Sequence, residues 1–276
     1  MLATAIIVYR EVLEAALVVS IVLAAAKGVA GRGRWVAAGV ALGLGGACGV
    51  AAFAGAIATA FQGRGQELLN AAILLTAVAM LGWHNVWMSS HGKDLAAKMK
   101  AVGHDVAVGD RPLTALMVVV AMAVLREGSE VVLFGYGIYA GGAGAEAMLS
   151  GGLVGLALGV ATGALLYRGL LRIPTRHLFT VTGWMVLLLA AGMATDAAGF
   201  LTQAGILSPI RAGLWNTSWL LTEHSMPGRL LHILVGYTQS PSALQVLFWL
   251  ATLTVIGGLM RVTGRAAVRR KEAAGD

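Results

Sequence analysis

Two stretches of this chain hold no Asp, Glu, Lys or Arg at all, from Trp35 to Gly63 and from Leu230 to Met260. A helix needs a run of about 20 apolar residues to cross the hydrocarbon of a bilayer. The remainder of the 276 residues is of the same kind, with 58% hydrophobic and 12% charged, against about 25% charged in a soluble domain. The chain therefore reads as an all-α integral membrane protein. Seven segments are expected to span, at roughly 2–26, 35–61, 67–90, 113–139, 147–168, 177–203 and 242–261. The 38 glycines lie among apolar residues and suit closely packed transmembrane helices. Arg10, Glu11 and Glu14 interrupt the first apolar segment, and no basic stretch precedes it, so it does not read as a removable signal peptide. Cys48 is the only cysteine, which leaves no intrachain disulfide and no thiolate metal cluster.

Basic residues set the orientation, because they concentrate on the cytoplasmic side. Lys27, Arg32 and Arg34 follow the first segment, and Lys93, Lys98, Lys100 and Arg111 follow the third. Arg168, Arg172 and Arg176 follow the fifth, and Arg261, Arg265, Arg269, Arg270 and Lys271 follow the seventh. The alternate connections hold only Arg64, Arg211 and Arg229, a ratio of 15 to 3. The N-terminus is expected outside and the C-terminus in the cytoplasm. The net charge of +7 is thus a product of topology, and no nucleic-acid partner is needed to explain it. The segment at about 91–112 is expected to be a short amphipathic cytoplasmic helix. The one at about 204–241 is a long external loop, in which the apolar piece 229–237 either re-enters the membrane or lies on its surface.

Charge appears within the apolar segments in a repeated form. Arg10-Glu11-Val12-Leu13-Glu14 and Arg126-Glu127-Gly128-Ser129-Glu130 both read R-E-x-x-E, and the two strings are 116 residues apart. At that offset Gly39 maps onto Gly155, Gly43 onto Gly159 and Ala47 onto Gly163. This predicts two three-helix repeats, residues about 1–90 and 113–203, with a seventh helix added at about 242–261. Three is odd, so the repeats insert with opposite orientation, and a shared site is expected near the midplane where they meet.

Residues three or four apart on a helix share a face, so Glu11 and Glu14 point together, as do Glu127 and Glu130. Crossing of the two helices would converge four carboxylates, which are hard donors suited to hard cations. A charge at the bilayer centre costs roughly 2.5–3.5 kcal/mol on translocon scales, so six such groups cost on the order of 15–20 kcal/mol before pairing. Arg10 and Arg126 offset two of the four negative charges. The remaining formal charge of −2 suits a cation site and is poor design for structure alone. The arginines are expected to keep the carboxylates ionised and oriented.

On these residues the chain resembles the oxidase-dependent iron transporter family, whose hallmark is R-E-G-x-E in the first and fourth of seven helices. Leu220-Leu221-Thr222-Glu223-His224-Ser225 and Gly236-Tyr237-Thr238-Gln239-Ser240-Pro241-Ser242 are also similar to bacterial members, so the resemblance spans nearly the whole chain. Val12 stands where the family usually has glycine, and Ser129 where a bulky apolar residue is usual. Leu68-Leu69-Asn70-Ala71 occupies a region where bacterial members often carry a glutamate, with Glu67 just upstream. The resemblance implies an iron permease of the bacterial cytoplasmic membrane. Glu11, Glu14, Glu127 and Glu130 would be the metal ligands, with Arg10 and Arg126 in support. Iron would be the substrate, with no permanent cofactor. In several members a periplasmic or extracellular partner oxidises the iron and passes it on as Fe(III).

Further pathway candidates are Asp196 inside the sixth segment, Glu223 and His224 in the external loop, Glu67, and His84, which the segment boundaries put near the cytoplasmic end of the third helix. Two other readings compete. One is a permease for another cation such as Pb(II) or Mn(II). The other is a membrane di-iron carboxylate enzyme, which would need Glu-x-x-His on two helices, whereas both strings here end in Glu. A zinc protease would need His-Glu-x-x-His, and a nucleotide-driven pump a phosphate-binding Gly-Lys-Ser/Thr loop; neither occurs.

Overall fold

A computed structural model describes residues 1–60, 66–169, 175–208, 213–223 and 225–273. Arg64, Arg172, Arg211 and His224, used in the sequence reading, lie outside these. The described chain forms eight helices: α1 (Leu2–Ala25), α2 (Arg32–Ala60), α3 (Gln66–Val108), α4 (Thr114–Ala140), α5 (Ala145–Tyr167), α6 (Thr175–Gln203), α7 (Met226–Val235) and α8 (Ala243–Ala273). No strand occurs among the described residues. Five stretches are long and apolar enough to cross a membrane: Arg32–Ala56, Gln66–Met88, Ala145–Tyr167, Thr180–Gln203 and Ala243–Gly264. At 24 and 27 residues, α1 and α4 have comparable length, but each carries one R-E-x-x-E string. Large apolar side chains on the outer helices point away from the protein, among them Phe53, Leu149, Leu153 and Val255. That is the arrangement expected where the surrounding solvent is lipid.

Two apolar clusters make the core. One joins Ile6 and Ile7 of α1, Leu74 and Leu81 of α3, Phe134 of α4, and Val186, Leu189 and Met193 of α6. The other joins Val18 and Val22 of α1, Val36 of α2, Val106 of α3, and Leu116, Val120 and Val124 of α4. Both R-E-x-x-E strings fall between the two clusters, near the middle of their helices.

Small residues let the helices meet backbone to backbone, as in other transmembrane interfaces. Gly151, Gly155, Gly159 and Gly163 lie along one buried face of α5. A methyl group added at Gly155 would strike Ala5 O and Val8, and one at Gly43 would strike Ala121 O and Val124. Ala5 and Val8 correspond to Ala121 and Val124 at the 116-residue offset. Gly43 therefore plays the part of Gly155, not of Gly159 as the sequence offset predicts. The same one-turn shift pairs Gly39, packed on Met117, with Gly151, packed on Met1. The connection 26–31 is two residues longer than its counterpart 141–144, and α1 and α2 each extend one residue further toward it than α4 and α5 do, which together make about one turn. Ala47 then matches Gly159, and the contacts trade size. Gly128 faces Ala47, whereas Val12 fills the space at Gly159. The bulkier residue in the first motif is thus accommodated by a glycine on the facing helix.

Two expectations about element boundaries change. The segment 91–112 is mostly not a separate helix, because α3 continues unbroken for 43 residues. Ser89-Ser90-His91-Gly92 is polar but contains no proline, so nothing in it removes a helical hydrogen bond; the helix stops only at Gly109, φ +89°. Likewise α8 runs to Ala273, because its basic tail is built from good helix formers.

In the loop between α6 and α8, α7 is ten residues long and about 15 Å in length, too short to span. Ser225 caps its start by accepting from Gly228 N at 3.1 Å. Gly236 ends it at φ +72° and rests directly on Gly192 of α6. Trp249 Nε1 of α8 donates to Val235 O at 2.6 Å.

The α1–α5 packing predicts that Gly155→Val is destabilising by about 1–3 kcal/mol, the usual cost of overpacking. Gly152→Val, where nothing lies within 4 Å of the added carbon, is expected to be neutral. Thermal unfolding of the two variants in detergent tests the pair.

Candidate metal site

Where α1 and α4 cross, the two charged strings meet. Within α1, Arg10 Nε lies 3.1 Å from Glu14 Oε1 and Arg10 Nη1 donates to Glu11 Oε1 at 3.5 Å. Within α4, Arg126 Nε donates to Glu130 Oε1 at 3.2 Å and lies 3.7 Å from Glu127 Oε1. The i,i+4 spacing of each motif therefore produces the same ion pair twice. The halves differ in exposure: the Arg10 side chain is 3% exposed, whereas that of Arg126 is 34% exposed. Arg126 stacks its guanidinium over Trp87 at 4.7 Å, a cation–π contact.

His84 of α3 sits between the two helices. Its Nε2 lies 3.3 Å from Glu14 Oε2, and its Nδ1 lies 2.5 Å from Glu130 Oε2. One donor atom from each of Glu11, His84, Glu127 and Glu130 falls within 4.8 Å of the others. The side chains of Glu11, Glu14 and Glu127 are 1%, 4% and 7% exposed, and that of Glu130 is 13% exposed. Glu11 Oε2 and Glu127 Oε2 are buried with no hydrogen-bond partner. The corresponding oxygens of Glu14 and Glu130 face His84. A cavity of about 760 Å³ reaches this centre, lined by Met80, Trp83, His84, Trp87, Arg126 and Glu130 among others.

The other expected site residues are placed elsewhere. Glu67 is exposed in the first turn of α3, about 25 Å along the helix from His84 at 1.5 Å per residue. Asp196 of α6 faces His232 of α7, with Oδ1 to Nε2 at 3.7 Å. It sits beside Gly141 at the end of α4. Glu223 Oε1 accepts from Gln239 N at 2.7 Å and so ties the outer loop together.

Two residues carry more than the sequence indicated. His84 is 4% exposed and lies against Glu14 and Glu130, near the middle of α1 and α4. His232, which no motif marked, is the partner of Asp196. Its Nδ1 lies 2.8 Å from Tyr237 O, which can only accept, so that nitrogen carries the proton. The available signal was a lone histidine between the helix-starting Ser225 and the helix-stopping Gly236.

Fold and site together define a multi-pass helical membrane protein with a buried cluster of carboxylates and one imidazole, a donor set fit for a metal cation. The chain belongs to the iron permease FTR1 family, which it matches over residues 1–269. The resemblance drawn from the paired R-E-x-x-E strings is thereby borne out. It is 32% identical over 248 residues to the ferrous iron permease EfeU of Escherichia coli O157:H7, covering 88% of this chain and 89% of that protein. The same identity and coverage hold for the ferrous iron permease EfeU of Shigella sonnei (strain Ss046). The putative inactive ferrous iron permease EfeU of Escherichia coli (strain K12) is 31% identical over 249 residues. No solved structure gives a significant match.

Removing one member of a buried ion pair costs about 3–5 kcal/mol, because the partner is left uncompensated. Arg10→Met is therefore expected to lower the unfolding temperature in detergent sharply. Arg126→Met, at a half-exposed position, is expected to lower it far less. Equal shifts would contradict the asymmetry described.

Proposed function

We propose that this protein carries iron across the bacterial cytoplasmic membrane through one mid-membrane centre built from Glu11, Glu14, Glu127 and Glu130. The observation that carries this reading is the pair of buried carboxylate oxygens, one on Glu11 and one on Glu127, left without donors where α1 and α4 cross. Four carboxylates and two arginines leave a formal charge of −2, which a permeating cation would neutralise. Arg10 and Arg126 hold the carboxylates in place, each through its own i,i+4 pair. An all-carboxylate cage with no opposing charge would bind a multivalent ion too tightly to release it; the arginines moderate that. Iron is the substrate, and the reading requires no permanent cofactor and no catalytic residue.

The architecture proposed around this centre has seven spans, α1 to α6 and α8. The two repeats are related by exchange of α1 with α4, α2 with α5 and α3 with α6. The reciprocal packing of α1 on α5 and α4 on α2, through matching small residues, supports this symmetry. The basic residues after α1, α3, α5 and α8 support a cytoplasmic C-terminus. On that orientation the ends of α4 and α6, the Asp196–His232 pair and the loop 204–241 face outward. An iron-oxidising or iron-binding protein on that side, which the family resemblance implies, would meet the loop there. Asp196 with His232, Glu223, His224 and Glu67 are assigned to the outer approach.

Radiolabelled uptake in an iron-uptake-deficient bacterium tests the centre, with Fe(II), Fe(III), Mn(II) and Pb(II) compared. The wild type is expected to accumulate iron, and Glu14→Ala and Glu130→Ala to fall to the level of cells lacking the protein. Equal accumulation in all three strains would sink the assigned site.

Topology has its own test in a Cys48→Ala background. An impermeant thiol reagent is expected to label Ser218→Cys in intact cells and Lys98→Cys only after the membrane is opened. The reverse pattern would invert the orientation.

A further inference from the structure

We propose that His84 supplies a nitrogen ligand to the permeating ion and thereby selects divalent transition metals against Ca(II) and Mg(II). This inference rests on the carboxylate centre proposed above and names what that centre prefers.

Four observations carry it. One ring nitrogen of His84 falls within the same 4.8 Å cluster as carboxylate oxygens of Glu11, Glu127 and Glu130, so with His84 the four residues come from three helices. The side chain is 3% exposed, and what it does expose lines the cavity that reaches the centre. Both its nitrogens face carboxylates, Glu14 on one side and Glu130 on the other, so the ring is held in register with both motifs. The placement is also one-sided. α6 is the other long helix packed in the core, yet from Val181 to Thr195 it contains no His, Asp, Glu, Lys or Arg. The imidazole is therefore a single nitrogen donor added to an otherwise oxygen-only pair of motifs.

The chemistry follows from donor type. Ca(II) takes oxygen ligands, and Mg(II) is bound through carboxylates and water. Imidazole suits iron, zinc, copper and nickel, and affinity for such mixed sites rises from Mn(II) through Fe(II). An oxygen-only centre of charge −2 would bind the abundant alkaline-earth ions as readily as scarce iron. Exchanging one oxygen for nitrogen weakens the centre for the former and keeps it for the latter. Glu14, whose carboxylate meets both Arg10 and His84, then acts as the orienting group for the ring, a role that outer carboxylates commonly serve for ligating histidines.

The test uses the purified full-length protein in detergent with Mn(II) as the paramagnetic probe and Ca(II) as competitor. Pulsed electron paramagnetic resonance is expected to show ¹⁴N coupling to bound Mn(II) in the wild type. In His84→Gln the coupling is expected to vanish, Mn(II) binding to weaken by about tenfold or more, and Ca(II) to displace Mn(II) correspondingly more easily. Absence of ¹⁴N coupling in the wild type, or its persistence in His84→Gln, overturns the inference; the first does not depend on the variant folding. Glu127→Gln separates the two levels of the argument. If Mn(II) binding is lost in Glu127→Gln but the wild type shows no nitrogen coupling, only the role of His84 falls. If Glu127→Gln binds Mn(II) as well as the wild type does, or the wild type binds none, the carboxylate centre falls and the role of His84 falls with it.

Discussion

The arrangement of this protein depends on one electrostatic constraint: four carboxylates are held together at low exposure in the middle of apolar helices. Each motif meets it locally by placing an arginine one turn from its last glutamate, so each helix arrives at the crossing already half neutralised. The remaining negative charge cannot be dispersed within α1 and α4 alone. His84 of a third helix stands between Glu14 and Glu130 and fixes the spacing of the two motifs. The two apolar clusters flank the site along α1 and α4. Charged groups in such a setting interact far more strongly than in water, which is why small changes of partner there matter.

Bringing two charged helices this close requires space on their other sides, and the small residues of α2 and α5 provide it. Gly155 and Gly159 let α5 lie against the backbone of α1, and Gly43 and Ala47 let α2 lie against α4. The exchange of Gly128 and Ala47 for Val12 and Gly159 shows how the volume is conserved across the pair. A motif residue that looks like a departure when each string is considered alone becomes a matched pair once the facing helix is included.

This bears on what could be read from the sequence. The apolar segments and the two charged strings were legible because length and periodicity are local properties, and the family assignment followed from them. The register between α2 and α5 was not, because two extra residues in the connection 26–31 and one at each adjoining helix end together shift it by about one turn. The burial of His84 was not legible either, because it comes from Glu14 and Glu130 on two other helices, which no local spacing reports. The Asp196–His232 pair joins residues from different helices across a loop, and no spacing rule connects them.

The unbroken length of α3 gives it a mechanical character. Val106 anchors it in the second apolar cluster against Val22 of α1 and Leu116 of α4, and His84 lies 22 residues before that anchor. Leu74 and Leu81 pin the same helix in the first cluster, so His84 is gripped from both directions, with Val106 about 33 Å further along at 1.5 Å per residue. A donor fixed between two packed stretches of one rod is set in place before any ion arrives, which is what a positioned ligand requires.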